Sequence, residues 1–199
     1  MSVAVAVSKE GRVALAADSQ TSFGSERVPP QNRIEMKFLK VGNAYLACTG
    51  WTLYANILSD VLARRRSVPR LDDELSIFRF FNDFWRLLHD RYSFVNDQSD
   101  DADDSPFGSL DSSFMVVSPK GIFSVSTDLA VARFERYFAI GSGSNYAVGA
   151  MHALYDSEAD AAAIAEFAVQ AAIDHDIYCG PPVNRVSLRG AGRRSASRR

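Results

Sequence analysis

The chain has 199 residues, of which 47% are hydrophobic, and a formal net charge of −2. This length and composition predict one domain with a well-packed core, and no run of 18 apolar residues that would predict a membrane span is present. The N-terminus lacks the basic and apolar segments of an export signal, and the two cysteines, Cys48 and Cys179, form no CxxC pair, which argues against a disulfide framework or a zinc cluster and fits a reducing cytoplasm.

Two hairpins and two helices are predicted in the first half of the chain. Alternation over residues 3–7, a turn at Lys9-Glu10-Gly11 and a second run over residues 13–17 predict the first hairpin. Residues 36–50 predict another, with its turn at Gly42-Asn43. Apolar spacing then predicts helices from Thr52 to about Arg65 and from about Asp72 to Tyr92. The residues expected to face inward from the second helix are Leu75, Phe78, Phe81, Trp85 and Leu88.

An acidic segment follows, from Asp97 to Asp111, with six aspartates and few apolar residues. Its spacing lacks the glycine and glutamate that a calcium-binding loop requires, so we expect an exposed, mobile loop. One hypothesis is that the loop faces an enclosed chamber and disfavours acidic peptides there; a position on the outer wall is nearly as consistent with the sequence.

The second half repeats the order of strands followed by helices. Strands are predicted at 113–117, 122–126 and 136–140, and a glycine pair then leads into a helix that Ser144 is expected to cap. Ser157 and Asp160 predict a capping box for a last helix. Grouped strands and grouped helices predict an α+β fold of facing sheets covered by helix pairs. The domain is expected to span residues 2–188, and the tail 189–199, with five arginines and no acid, is expected to be disordered rather than a nucleic-acid arm.

Several familiar site patterns are absent or incomplete. The stretch "GSGSNY" has Tyr146 where a dinucleotide-binding loop has its third glycine. His175-Asp176 has no GxSxG serine to complete a triad, and His89 and His152 stand apart without the spacing of metal ligands. We therefore expect no metal, cofactor, nucleic-acid or membrane partner.

Ser2 stands at the edge of the first strand, where most chains have dispensable residues. A serine hydroxyl needs an adjacent base to act as a nucleophile. If Met1 is removed, the α-amine of Ser2 supplies that base, because its ordinary pKa of about 7.7–8.0 lies near neutrality. A nearby lysine lowers the pKa of such an amine, and a carboxylate orients the lysine. Lys37 and Asp18 are candidates for these two positions.

Four stretches in order resemble the proteasome β-subunit and HslV peptidase family: "SVAVAVSKEGRVALAADSQTS", "KFLKVGNAYLACTG", "YFAIGSGSNYAVGAMHAL" and "DIYCG". The resemblance extends from Ser2 to about Leu188. It implies the four-layer αββα sandwich of the N-terminal nucleophile hydrolases and a threonine-type endopeptidase activity on peptides or unfolded proteins.

The resemblance also implies roles for individual residues. Ser2 matches the nucleophile, Asp18 and Lys37 its supporting acid and lysine, and Ser142 the serine that hydrogen-bonds the terminal amine. Further matches are Asp176 as a second supporting acid, Gly50 as the oxyanion-hole donor, and Ser22 and Cys179 as substrate-binding candidates.

Four features depart from the family pattern. Ser2 replaces the usual threonine, and Cys179, a weaker donor, replaces a serine. No pro-segment precedes Ser2, so removal of Met1 should suffice for activation. Glu35 competes with Lys37 for the lysine position if residues 29–30 are aligned without a gap, but the pattern leading into the second hairpin favours Lys37.

The family resemblance further implies a cytoplasmic homo-oligomer, a double ring of 12 or 14 subunits, and leaves open whether an unfoldase partner exists. Two alternatives stay open from the sequence. The chain could be an inactive structural ring subunit, or it could be a small-molecule amidohydrolase of the wider fold.

Overall fold

The computed structural model describes residues 2–92, 110 and 112–190. The predicted acidic segment, apart from Leu110, and residues 191–199 of the predicted tail lie outside this described part. The described elements alternate in groups of strands and helix pairs.

The strands are β1 (Ala4–Lys9), β2 (Arg12–Ala17), β3 (Thr21–Phe23), β4 (Glu26–Val28), β5 (Phe38–Val41), β6 (Ala44–Gly50), β7 (Ser112–Ser118), β8 (Gly121–Val125), β9 (Val131–Phe134), β10 (Tyr137–Ile140) and β11 (Asn184–Arg189). The helices are α1 (Thr52–Arg64), α2 (Glu74–Arg91), α3 (Ser144–Leu154) and α4 (Ala161–His175).

Two antiparallel sheets carry the architecture, one in the order β10-β1-β2-β11 and one in the order β5-β6-β7-β8-β9. Strand alternation sorts the core into three layers. Odd-numbered residues of β1 pack against α3 and α4, whereas Ala4 and Ala6 face the other sheet. The third layer joins the five-stranded sheet to α1 and α2. The fold is therefore the αββα sandwich of the α+β class, as predicted.

The first hairpin has the turn that its sequence predicts. Glu10 and Gly11 both have positive φ, 50° and 71°, as the central residues of a type I′ turn do. This two-residue turn sets the β1–β2 register, in which Ala4 pairs with Ala17. The second hairpin turns at Gly42-Asn43, also as predicted, with Val41 paired to Ala44.

The face predicted for α2 is correct in part, because Phe81 and Leu88 are buried as predicted and Trp85 is partly buried against the same core. Leu75 and Phe78 are exposed, and the buried residues are Ile77, Phe80, Phe81, Phe84 and Leu88. Two neighbouring stripes of this helix are apolar at helical spacing, so periodicity does not separate them. Contact with the five-stranded sheet decides, since Phe81 and Phe84 pack against Phe114 of β7.

Two predicted caps are wrong. Asp160, not Ser157, is the N-cap of α4, with its carboxylate accepting from the amide of Ala163. Ser144 is the first residue of α3, and Gly143 is its N-cap. In each case the prediction chose a polar residue close to the true start, but the φ and ψ angles of the cap depend on how the chain enters the helix.

Candidate active site

The candidate site lies where β1, β2 and β10 meet at the N-terminal end of β1. The β1–β2 register, extended by one residue, sets Asp18 opposite Val3, and the two backbones are joined by Asp18 N donating to Val3 O at 3.2 Å. The β1–β10 register pairs Ala4 with Ile140, so its extension sets Ser2 opposite Ser142. Pairing across the sheet therefore brings together residues that are 15 and 140 positions apart.

Asp18 is fully buried, and three backbone amides satisfy its carboxylate. Val3 N donates to Oδ1 at 2.9 Å, whereas Gln20 N and Gly180 N donate to Oδ2 at 3.0 and 3.1 Å. These amides hold both oxygens toward the next member of the site, Lys37.

Lys37 is buried, and its ammonium group joins Asp18 to Ser2. Nζ donates to Ser2 Oγ at 2.7 Å, to the two Asp18 oxygens at 3.0 and 3.1 Å, and to Gln20 O at 2.8 Å. The ammonium group of Lys37 has three N–H donors and contacts four acceptor atoms, so the two carboxylate oxygens share one donor and every donor has an acceptor. Lys37 is therefore the residue that contacts both Ser2 Oγ and the Asp18 carboxylate.

Gly141 and Gly143, which precede α3, lie against the backbone of Ser2. Ser2 N donates to Ser142 Oγ at 3.1 Å, and Ser2 O accepts from Gly143 N at 3.2 Å and from Ser142 Oγ at 3.3 Å. Gly141 has a φ of +96°, and a Cβ there would lie 2.2 Å from Ser2 O. The "GSG" motif thus serves a close backbone approach to Ser2 instead of a nucleotide.

Asp176 and Cys179 lie beside this network, where α4 ends. The Asp176 carboxylate accepts from Tyr178 N at 2.9 Å and from Cys179 Sγ at 3.5 Å. Burial, and after it the negative charges of Asp18 and Asp176, raise the pKa of the Cys179 thiol. Cys179 therefore stays a neutral thiol, and it is buried behind the site.

A narrow cleft of about 60 Å³ opens next to Ser2. Gly50, the predicted oxyanion donor, lines it at the end of β6 with a φ of +121°. Ser22 lines it as well, and its hydroxyl accepts from Gln20 Nε2 at 3.0 Å. Cys179 is not among the residues of this lining, so only one of the two predicted substrate-binding residues faces the cleft.

Several residues that line the cleft were not identified from the sequence: Gln20, Thr21, Met36, Cys48, Trp51 and Thr52. Glu35 also lines the cleft, and the sequence had suggested it only as an alternative to Lys37. The one available signal was proximity in the chain, because all of these flank Asp18, Lys37 or Gly50. Burial raises the pKa of the Cys48 thiol to about 12, with the charge of Glu35 adding to the effect.

The arrangement is suited to nucleophilic chemistry at Ser2. A cation that contacts Oγ stabilises negative charge on that oxygen, and the buried carboxylate holds the cation in place.

No helix in the described part of the chain is both long and apolar enough to cross a membrane. Within residues 2–92, 110 and 112–190, no group of three or more His, Cys, Asp or Glu side chains could hold a metal ion.

Known structures similar to the chain belong to proteasome-related proteins. A structure of Thiobacillus denitrificans BPH in complex with epoxomicin is 31% identical, with a TM-score of 0.86, over 96% of this chain and 100% of that one. Another BPH structure from the same organism is 32% identical, with a TM-score of 0.85, over 94% and 97% of the two chains.

A third similar structure, eukaryotic HslV from Trypanosoma brucei, is 22% identical, with a TM-score of 0.66, over 94% of this chain and 99% of that one. At this identity the likeness concerns the fold. No family model matches the sequence, and no curated protein matches it.

Proposed function

The chain belongs to the proteasome/HslV-like family of peptidases, and from this membership we propose that it hydrolyses peptide bonds with Ser2 as an N-terminal nucleophile. The observation that carries the proposal is the 2.7 Å contact between Lys37 Nζ and Ser2 Oγ within a buried network. Burying a lysine and an aspartate is costly unless they pair. Such a pair aimed at a single hydroxyl is typical of a functional site.

In the proposed mechanism, removal of Met1 frees the α-amine of Ser2, which takes the proton of the Ser2 hydroxyl as Oγ attacks the peptide carbonyl. Lys37 stabilises the developing charge on Oγ, and Asp18 holds Lys37 in position. The amine then gives the proton to the leaving amine of the peptide, and water hydrolyses the acyl-enzyme by the same route in reverse.

The remaining candidates have positioning roles in this proposal. Ser142 orients the α-amine, as its 3.1 Å contact with Ser2 N suggests, and the Gly50 N–H stabilises the oxyanion. Asp176 and Cys179 support the Ser142 turn from behind, since Gly143 packs closely on Cys179. Ser22 contacts the bound peptide at the mouth of the cleft.

We further propose that the protein acts as a cytoplasmic homo-oligomer, a double ring of 12 or 14 subunits, on peptides or unfolded proteins. Exposed apolar side chains on α3 and α4, among them Tyr146 and Phe167, support an assembly that covers them. Sedimentation of the full chain tests this part; a monomer at micromolar concentration would contradict it.

Intact-mass spectrometry with and without a peptide epoxyketone tests the nucleophile. The hydroxyl and the α-amine of one residue both add to such a reagent, so the adduct requires a free N-terminal Ser2. We expect loss of Met1 and a gain of one inhibitor mass in the wild type and in Ser2→Thr, and no adduct in Ser2→Ala. A wild-type protein that loses Met1 and forms no adduct would support the inactive-subunit or amidohydrolase alternatives.

A further inference from the structure

We propose that Glu35 makes the cleft beside Ser2 selective for a basic side chain, lysine or arginine, in the residue whose carbonyl Ser2 attacks. This inference rests on the proposed function, because it names the substrate class of the same site. Glu35 takes no part in the proposed mechanism, and the sequence left it without a role.

Glu35 lines the same narrow cleft as Ser2 and Gly50. A carbonyl attacked by Ser2 and held by the Gly50 N–H must lie between those two residues. The side chain next to that carbonyl then has this cleft within reach, and Glu35 with it.

Two threonine hydroxyls hold the carboxylate of Glu35. Thr21 Oγ1 donates to Glu35 Oε2 and Thr52 Oγ1 donates to Oε1, each at 2.9 Å. The side chain is 16% exposed. Two hydroxyls therefore hold the carboxylate in one orientation, and each oxygen retains a lone pair for a further donor. A cationic N–H group is the donor that such a carboxylate binds most strongly.

Two basic residues, Arg33 and Lys37, flank Glu35 in the chain. Lys37 is committed to Ser2, Asp18 and the carbonyl of Gln20. Arg33 Nη2 lies 3.8 Å from Glu35 Oε1, beyond hydrogen-bond length, and its side chain is 50% exposed. Arg33 is thus a loosely held partner in water that a substrate cation can displace.

The cleft also offers apolar contacts for the rest of a basic side chain. Met36, Trp51 and Ala55 line the cleft with apolar atoms. Lysine and arginine bury their methylene stems against apolar surface while the charged head group reaches a polar partner.

The test compares kcat/KM of the full-length wild type for matched fluorogenic peptides that differ at this residue alone. Arginine is compared with citrulline, its neutral analogue, and lysine with norleucine. A hydrogen bond to a charged group corresponds to about 10- to 100-fold in rate, and we expect the basic peptides to be favoured by that factor. Ratios near one in an enzyme that cleaves all four peptides overturn the inference and leave the proposed function intact.

Glu35→Gln is the diagnostic variant, because it removes the charge and keeps two polar atoms for Thr21 and Thr52. We expect its arginine-to-citrulline ratio to fall about tenfold or more, toward one; the ratio is the readout because general damage lowers both rates together. Glu158→Gln, an equal change of charge on an exposed residue outside the cleft lining, is expected to keep the wild-type ratio. An unchanged ratio in Glu35→Gln overturns the inference.

Two further outcomes are separable. If Glu35→Gln does not fold, the wild-type ratios alone decide. If the wild type, with Met1 removed, neither cleaves any peptide nor reacts with the epoxyketone, the proposed function fails and the inference fails with it.

Discussion

The two ends of strand β1 both carry charged side chains, and the two clusters differ in how much water reaches them. At the N-terminal end the pair Lys37–Asp18 is 4% and 0% exposed at a separation of 3.0 Å. Beyond the C-terminal end the pair Arg136–Asp156 is 52% and 84% exposed at 2.5 Å. Exposed pairs contribute little to stability, whereas breaking a buried pair leaves an uncompensated charge.

The exposed cluster is no less ordered in its contacts. The Arg136 guanidinium lies 3.9 Å from the centre of the Tyr155 ring, and Lys9 Nζ donates to the carbonyl groups of Ser157 and Ala159. Geometry alone therefore does not distinguish a site from a surface cluster. What distinguishes them is burial together with a nucleophile: at the N-terminal end the cation contacts the hydroxyl of Ser2.

The largest difference is expected from the lysines of the two clusters. Lys37→Ala should lower kcat/KM about 10²- to 10⁴-fold, since it removes the group that stabilises charge on Oγ. It should also lower the free energy of unfolding by about 3–5 kcal/mol, because Asp18 is left buried and unpaired. Peptide cleavage and urea unfolding measure the two effects. Lys9→Ala is the matched control, with wild-type kcat/KM expected; equal losses in both variants would remove the distinction between the clusters.

Burial near the N-terminal end of β1 should also lower the reactivity of the Cys48 thiol. Thiolate is the reactive form of cysteine, and a pKa of about 12 for Cys48 against an ordinary 9.0 lowers the thiolate fraction at pH 8 about a thousandfold. We expect alkylation by iodoacetamide at pH 8 to be slower in the folded protein than in urea by about that factor. The pKa is raised, so the rate should rise about tenfold per pH unit until the pH approaches 12. Rapid labelling of the folded protein near pH 8 would contradict this environment.

Alanine substitution at two glycines should change stability by smaller amounts and in opposite directions. Gly141→Ala forces a Cβ against Ser2 O at a positive φ, so we expect a loss of more than about 1 kcal/mol in stability together with reduced cleavage, because Ser2 is displaced. Gly149, in the middle of α3, has open space around its Cβ position. Gly149→Ala should raise the free energy of unfolding by about 0.5–1 kcal/mol through helix propensity. Thermal unfolding and peptide cleavage of both variants test the contrast, which a stabilising Gly141→Ala would reverse.

The smallest effect is expected at the exposed pair. Asp156→Ala should change the free energy of unfolding by no more than about 0.5 kcal/mol, because solvent screens Arg136 and Asp156 and hydrates each when the other is removed. Urea unfolding at low and at high salt is the measurement. A loss comparable to that of Lys37→Ala would mean that burial is not the property that separates the two ends of β1.

Much of the site was predictable because it depends on strand pairing. The alternation in residues 3–17 and the turn at Glu10-Gly11 set a register that puts Asp18 opposite Val3. The second hairpin was predictable in the same way, and its backbone reaches Lys37, whose carbonyl accepts from Cys48 N at 2.9 Å. The short strands β3, β4, β9 and β11 were not predicted, since pairs and edges of three to six residues carry little periodic signal.

The sequence by itself determined the layered α+β class, the two hairpins and the candidates Ser2, Asp18 and Lys37, because period-two alternation and turn residues act locally. Only the tertiary structure decided which apolar stripe of α2 is buried, that Asp160 caps α4, and that Glu35 lines the cleft while Cys179 lies behind it. These features depend on contacts between elements far apart in the chain. No local pattern encodes which of two apolar faces, or which of two neighbouring polar residues, a distant element will meet.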